Sequence, residues 1–476
     1  MNFDLESTTG LYHAIAHLGP ELCLVQDPAT TRNSRAIGSR VSGKLSSVAP
    51  LLDSLISLLP YDPQNKPQYA MTLALSKKSA NLYVSADNDS RLNLAPQGMA
   101  AIKKCWSLIQ DAINDVEFSP TGLEQITESA LVRGFIVYHL SSGRQHARFR
   151  KRSRECAAWF ALLKASNLLG LRWEEARSYF NISERVYELY EDAIAKGCWT
   201  DQDIVKLCEH ADAIKWLEKR SRKDLQPTVS RVSTWFRHIN LEAVLPLPLN
   251  DLPRYWDFDA SRYIDKLIRP AVHAIELFRL SKCPKFRRMF KGRPLHVTEV
   301  HAAEYGTQYV SPILSTTTVH RFICGLRGQA EDKDILIADV NSALPNASCN
   351  VTFRTHPVCH LIRYHDERNP HLERPFPYIT TYRLSGYLCQ RFVQLHKHFS
   401  RRNEDCTSWV GFVLNGWKTR VEMDWSFPVT SSEHIYSRLI GVLMHEDLVD
   451  ILESRMDRTA KRRARREGIP LGCAPV

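Results

Sequence analysis

Apolar positions recur at three- and four-residue spacing through the middle of the chain and in shorter, strand-like runs on either side of it. The helical spacing, which places side chains on one face of a helix, covers Met99 to Ile113, Gln125 to Leu140, Arg152 to Leu168, Trp173 to Lys196 and Asp259 to Leu280. Residues 96–284 are therefore expected to form a mainly α-helical domain, with Trp159, Phe160, Trp173, Trp216 and Trp235 as packing aromatics. The stretch Leu245 to Pro253 interrupts it, because its prolines remove helix hydrogen bonds, and reads as a linker or strap. Before this domain, residues 1–95 contain one helical run, Val48 to Leu59, and two strand-length runs, Tyr69 to Leu75 and Ala80 to Val84, which predict a small mixed α/β region.

After Cys283-Pro284 the pattern alternates. Strands are expected at Arg293–Val300, Thr317–Ile323, Ile335–Val340, Asn350–Arg354, Tyr378–Tyr382, Trp409–Leu414 and Lys418–Met423, with helices at Val358–Tyr364, Gly386–Lys397 and Ser432–Arg455. Alternation of this kind predicts an α/β domain over 285–455, followed by a basic tail, 456–476. The segment His301-Ala302-Ala303-Glu304 reads as a polar-ended helix packed through Ala302, Ala303 and Tyr305.

A length of 476 residues exceeds one hydrophobic core, and 44% hydrophobic with 24% charged residues is the composition of folded, soluble domains. The acidic start and the lack of a long apolar run argue against secretion and membrane spanning. Twelve cysteines spread from Cys23 to Cys473 read as buried thiols of a reducing compartment. The formal charge of +11 gathers in three places. The first is Arg144, Arg148, Arg150, Lys151, Arg152 and Arg154; the second is Lys285, Arg287, Arg288, Lys291 and Arg293; the third is Arg458, Lys461, Arg462, Arg463, Arg465 and Arg466. Such clusters predict contact with nucleic acid, and the tail fits a nuclear targeting signal equally well.

The chemistry-bearing segment is His356-Pro357-Val358-Cys359-His360, followed by Tyr378 to Tyr382 and then Ser385-Gly386-Tyr387-Leu388-Cys389. A zinc deaminase holds its metal with one histidine and two cysteines near the starts of two helices, and moves protons with a separate glutamate. Over residues 290–440 the chain resembles the OTT_1508-like deaminase family of fungi, whose histidine–glutamate helix precedes a strand and a Ser-Cys-x-x-Cys helix opening. Gly416-Trp417-Lys418 and Trp425-Ser426-Phe427-Pro428 resemble that family's downstream elements. The resemblance implies a deaminase-like mixed sheet with flanking helices, and aligns His356 and Cys389 with two ligands. It also puts Val358 where the proton-transfer glutamate stands and Gly386 where the first ligand cysteine stands, so no catalytic residue, resident metal or other cofactor is expected.

A remodelled zinc site drawn from His356, Cys359, His360 and Cys389 is the alternative, with Asp366 and Glu367, beyond the helix, as poor substitutes for the glutamate. No phosphate loop or metalloprotease motif occurs. The expectation is a non-catalytic pseudoenzyme acting as a binding or scaffold protein with a protein partner or further copies of itself, nuclear and nucleic-acid-associated. A divergent deaminase and a homo-oligomeric shell are the alternatives.

Overall fold

The structure, a computed structural model, describes residues 45–60, 68–87, 96–115, 122–141, 144–165, 174–221, 258–305, 308–312, 330–343, 350–367, 373–382, 385–402 and 411–415, with isolated positions within 225–232, 320–327 and 442–453. Outside them lie Trp173, Trp235, Leu245–Pro253, the strand expected at Lys418–Met423, Gly416–Pro428, most of the helix expected at Ser432–Arg455, and the whole basic tail. A mostly helical stretch is followed by a small mixed sheet with flanking helices, a general α/β architecture. Two compact units form: an α/β unit from residues 1–56, 67–96 and 293–476, and a helical unit from 57–66 and 97–292.

The α/β unit begins with α1, Leu45–Leu55, and the hairpin of β1, Tyr69–Leu75, and β2, Ala80–Ala86. At the turn the Ser76 hydroxyl accepts from the Lys78 and Ser79 amides at 3.0 and 2.7 Å, a local side-chain turn that fixes the register. Later in the chain come β3, Leu295–Val300, and β6, Thr380–Thr381, and the sheet order is β3-β2-β1-β6. Strand β2 pairs with β3 in parallel, whereas β1 is antiparallel to both β2 and β6. Residues 1–95 were expected to form a region apart from 285–455, yet their hairpin supplies the centre of this sheet. The reason is burial: Tyr69 to Ala74 are buried on both faces of the strand, which a free hairpin cannot provide. Helix α1 packs on β1 and β6, and the helix Pro357–Glu367 packs on β1, β2 and β3.

A second, two-stranded sheet pairs Gln308–Pro312 (β4) with Asn350–Arg354 (β5). The expected strand Ile335–Val340 is instead part of a helix, α11 (Ala330–Ala343). A short apolar run fits either state, and the acid Glu331 in its first turn favours the helix. Of the strand expected at Thr317–Ile323, the described residues His320 and Ile323 are helical. Ala302–Tyr305 (α10) is one helical turn that packs against the helix Pro357–Glu367 without fully burying a residue, and Tyr305 meets the Tyr364 ring at 5.0 Å.

The helical unit holds α2 (Pro96–Asn114), α3 (Leu123–Glu128), α4 (Ala130–Ser141), α5 (Arg144–Ala165), α6 (Glu174–Lys196), α7 (Asp201–Arg220), α8 (Ala260–Lys282) and α9 (Pro284–Phe290). Gln125–Leu140, expected as one helix, breaks at Ser129, whose backbone is extended. Gly134 lets α2 and α4 approach: a Cβ there would stand 2.6 Å from Leu108. Trp159 and Phe160 are buried beside Phe180 and Tyr187, while Trp216, expected as core, is 53% exposed with the Arg220 guanidinium over its ring. Pro270 inside α8 has no N–H to give the carbonyl four residues back, and the buried Gln145 side chain donates to that Lys266 oxygen at 3.2 Å. This bond ties the start of α5 to the first half of α8. Among the described residues no helix is long and apolar enough to cross a membrane. Cys105, Cys156, Cys208, Cys359 and Cys389 are buried thiols, whereas Cys198 and Cys324 are exposed.

Candidate functional site

Two helix starts meet in the α/β unit. Pro357, pre-set for a first helical residue, opens α12 (Pro357–Glu367), and the His356 carbonyl accepts from the Cys359 and His360 amides at 2.8 and 3.2 Å. His356 is thus the residue flanking the helix start. The second helix, α13 (Tyr387–Arg402), opens in the same way, with the Gly386 carbonyl accepting from Gln390 at 3.2 Å, so Cys389 sits in its first turn. Between the two helices runs β6, with Tyr378–Thr381 alongside β1 and residues 411–415: Ile379 donates to Val413 and accepts from Asn415.

The Cys389 sulfur lies 3.2 Å from His356 Nδ1, both side chains buried. Burial pushes the Cys389 thiol well above its usual range, and a hydrogen bond with Cys359 acts in the same direction, against the lowering effect of His356. The group is therefore a thiol at neutral pH, hydrogen-bonded with the imidazole. His360, one of the four remodelling candidates, turns to the sheet instead, where its Nδ1 is 3.0 Å from the Ser85 hydroxyl. Among the described residues no group of three or more His, Cys, Asp or Glu side chains is arranged to hold a metal ion.

A recess of about 10 Å³ lies beside this pair, lined by Gln68, Tyr69, Ala70, His356, Pro357, Val358, Thr381, Ser385 and Cys389. That volume admits a single water and excludes a nucleobase. Among the described residues its lining contains no carboxylate. Val358, 3% exposed, adds only methyl groups to the lining, and the buried Ser385 hydroxyl has no hydrogen-bond partner among the described residues. Asp366 and Glu367 lie in the last turn of α12, on the order of 15 Å along the axis from its start. There Asp366 accepts from His396 Nε2 at 2.8 Å, and Glu367 pairs with Arg363 at 2.5 Å. Among the described residues the donor set does not fit a catalytic zinc: Gly386 has no side chain, Val358 has no proton to give, and no carboxylate lines the recess.

The basic positions fall elsewhere. Arg150, Lys151, Arg152 and Arg154 are exposed on α5 and Arg148 is half-buried; the side chain of Arg144 and the residues Lys461, Arg462, Arg463, Arg465 and Arg466 lie outside the described set. Lys285, Arg287 and Arg288 are on α9 and Lys291 just beyond it, while the Arg293 guanidinium donates to the Ser76 carbonyl in the α/β unit.

No known protein family, curated protein or solved structure matches the chain.

Proposed function

We propose that this chain is a deaminase-like pseudoenzyme: a non-catalytic binding or scaffold protein of a nucleic-acid-associated assembly in the nucleus, working with a protein partner or further copies of itself. One observation carries the deaminase-like part. His356 and Cys389, drawn from helix starts on either side of a strand, meet at 3.2 Å in the arrangement that zinc deaminases use for two of their ligands. Loss of catalysis follows from the two neighbouring positions, because an activated water needs a metal held by a full ligand set and a group that takes and returns the proton. The surface around a dead site is still able to bind, since affinity comes from buried contacts and charge rather than proton transfer.

The competing reading is a remodelled zinc site on His356, Cys359 and Cys389, although among the described residues no three such side chains are arranged as metal ligands. Metal analysis with a deaminase assay on the purified protein separates the two. The expected result is well under one zinc per chain and no ammonia released from free bases, nucleotides or single strands. Stoichiometric metal without turnover would favour the structural site. Turnover abolished by Cys389→Ala would overturn the pseudoenzyme reading.

A further inference from the structure

We propose that the recess at the starts of α12 and α13 is a binding site for a small monatomic anion of the size of chloride, held through the Ser385 hydroxyl and the helix-start amides. This rests on the metal-free part of the reading above, because a zinc on His356 and Cys389 would compete for the same space.

Ser385 is the residue that points to a ligand. It stands one place ahead of Gly386, which flanks the start of α13, and it is 5% exposed and lines the recess. Its hydroxyl nevertheless has no hydrogen-bond partner among the described residues. Leaving a buried hydroxyl in that state costs the fold stability, and a group bound in the recess removes the cost by accepting its proton.

Both helices open onto the recess. His356, Pro357 and Val358 line it from the start of α12, Ser385 and Cys389 from the start of α13. A helix start carries amides without an intrahelical acceptor and the equivalent of roughly half a positive charge. In α13 the Tyr387, Leu388 and Cys389 amides come before that of Gln390, which donates to the Gly386 carbonyl at 3.2 Å. Two such ends meet at one recess whose lining, among the described residues, contains no carboxylate. That is a positive site without its counter-charge. Cys389 does not supply the charge, since burial keeps it a thiol, hydrogen-bonded with His356.

An anion suits the balance of donors and acceptors better than water does. Water has two protons to place, but the carbonyls of the lining residues Gln68 and Tyr69 already accept from the Asp87 and Tyr382 amides at 3.2 and 2.9 Å. The Thr381 hydroxyl, also in the lining, donates to Asn415 at 2.8 Å. A monatomic anion only accepts, and so takes the Ser385 proton and the helix-start amides without needing an acceptor in return. The recess of about 10 Å³ is too small for phosphate, sulfate or a carboxylate. A cation would face two positive helix ends with no anionic ligand among the described residues of the lining.

The test uses the full chain exchanged into gluconate, an anion too large for the recess. Thermal melts at constant ionic strength, with chloride or bromide replacing gluconate, are expected to rise saturably, by about 3 °C at a tenfold excess over Kd. Ser385→Ala should weaken halide binding roughly tenfold or more, the loss of one hydrogen bond to a charged group, while melting in gluconate at least as high as the wild type. Ser385→Asp sets a carboxylate at the helix starts and should abolish the response. Crystals grown in bromide should show anomalous scattering beside Ser385. Zinc is measured on the same preparation. A chain with little zinc whose melting ignores halide, or responds equally in the wild type and Ser385→Ala, overturns the anion site and leaves the pseudoenzyme reading intact. Stoichiometric zinc, with a halide response that a chelator removes, overturns the metal-free reading as well, because the anion then sits on the metal.

Discussion

Replacing Gly386 by cysteine is expected to raise the zinc content of the purified protein from well under one to about one per chain. Gly386 flanks the start of α13 and Cys389 lies three residues on, so a side chain at the first position shares a helix face with the second. The existing pair already has the required separation. Sulfur and nitrogen bound to one tetrahedral zinc stand about 3.5 Å apart, given metal–ligand bonds of about 2.3 and 2.0 Å. Cys389 and His356 are 3.2 Å apart, a few tenths of an ångström short of it. The added thiolate completes three protein ligands, and the recess has room for one water at the fourth position. Metal bound only to the folded state also raises stability, by about 2.7 kcal/mol at a hundredfold excess over Kd. Gly386→Cys should therefore show zinc by elemental analysis and a melting temperature lowered by chelator, with no turnover. Only a further Val358→Glu supplies a group able to move a proton. A folded Gly386→Cys protein that takes up no zinc would remove the deaminase-like reading of these helix starts.

Those helix starts were legible because their signals are local. Proline after His356 and glycine before the Cys389 turn mark where helices open, and the apolar spacing of Leu361, Ile362, Phe392 and Val393 fixes the faces they bury. The sheet was less legible. Tyr69–Leu75 and Ala80–Val84 read as strands, but nothing in either run specifies Leu295–Val300 or Thr380–Thr381 as a neighbour, because strand pairing is set by what covers the faces. Helix α7 escaped the apolar pattern, although Thr200 and Asp203 form a capping box at its start.

A polar network that no sequence pattern announces should carry the largest single-residue effect on stability in the α/β unit. Asp53 of α1 and Tyr378 are 325 residues apart, and the Tyr378 hydroxyl donates to both carboxylate oxygens at 2.9 Å. The Thr380 hydroxyl donates to Asp53 at 2.5 Å while accepting from Asn415 at 3.1 Å, and Asn415 in turn accepts from the Thr381 hydroxyl at 2.8 Å. Tyr378 and Thr380 are buried, and burial, then the Asp53 charge and its hydrogen bond, push the phenol far upward, so it remains a donor throughout the working pH range. Asp53→Ala leaves two buried hydroxyls without their acceptor. At about 1–3 kcal/mol for each stranded group, the expected loss is about 3 kcal/mol in urea unfolding. Tyr378→Phe, which removes a donor but leaves Asp53 its threonine, should cost about 1 kcal/mol, and the double variant should fall short of the sum by at least 1 kcal/mol because the two groups share one bond. The network also fixes β6, whose Thr381 lines the recess beside Cys389. Asp53→Ala is therefore expected to speed modification of Cys389 by a thiol reagent at least tenfold, read as the Cys389→Ala-sensitive fraction under native conditions. A loss below 1 kcal/mol with unchanged thiol reactivity would show that apolar packing of α1, and not this network, holds β6 against the helix starts.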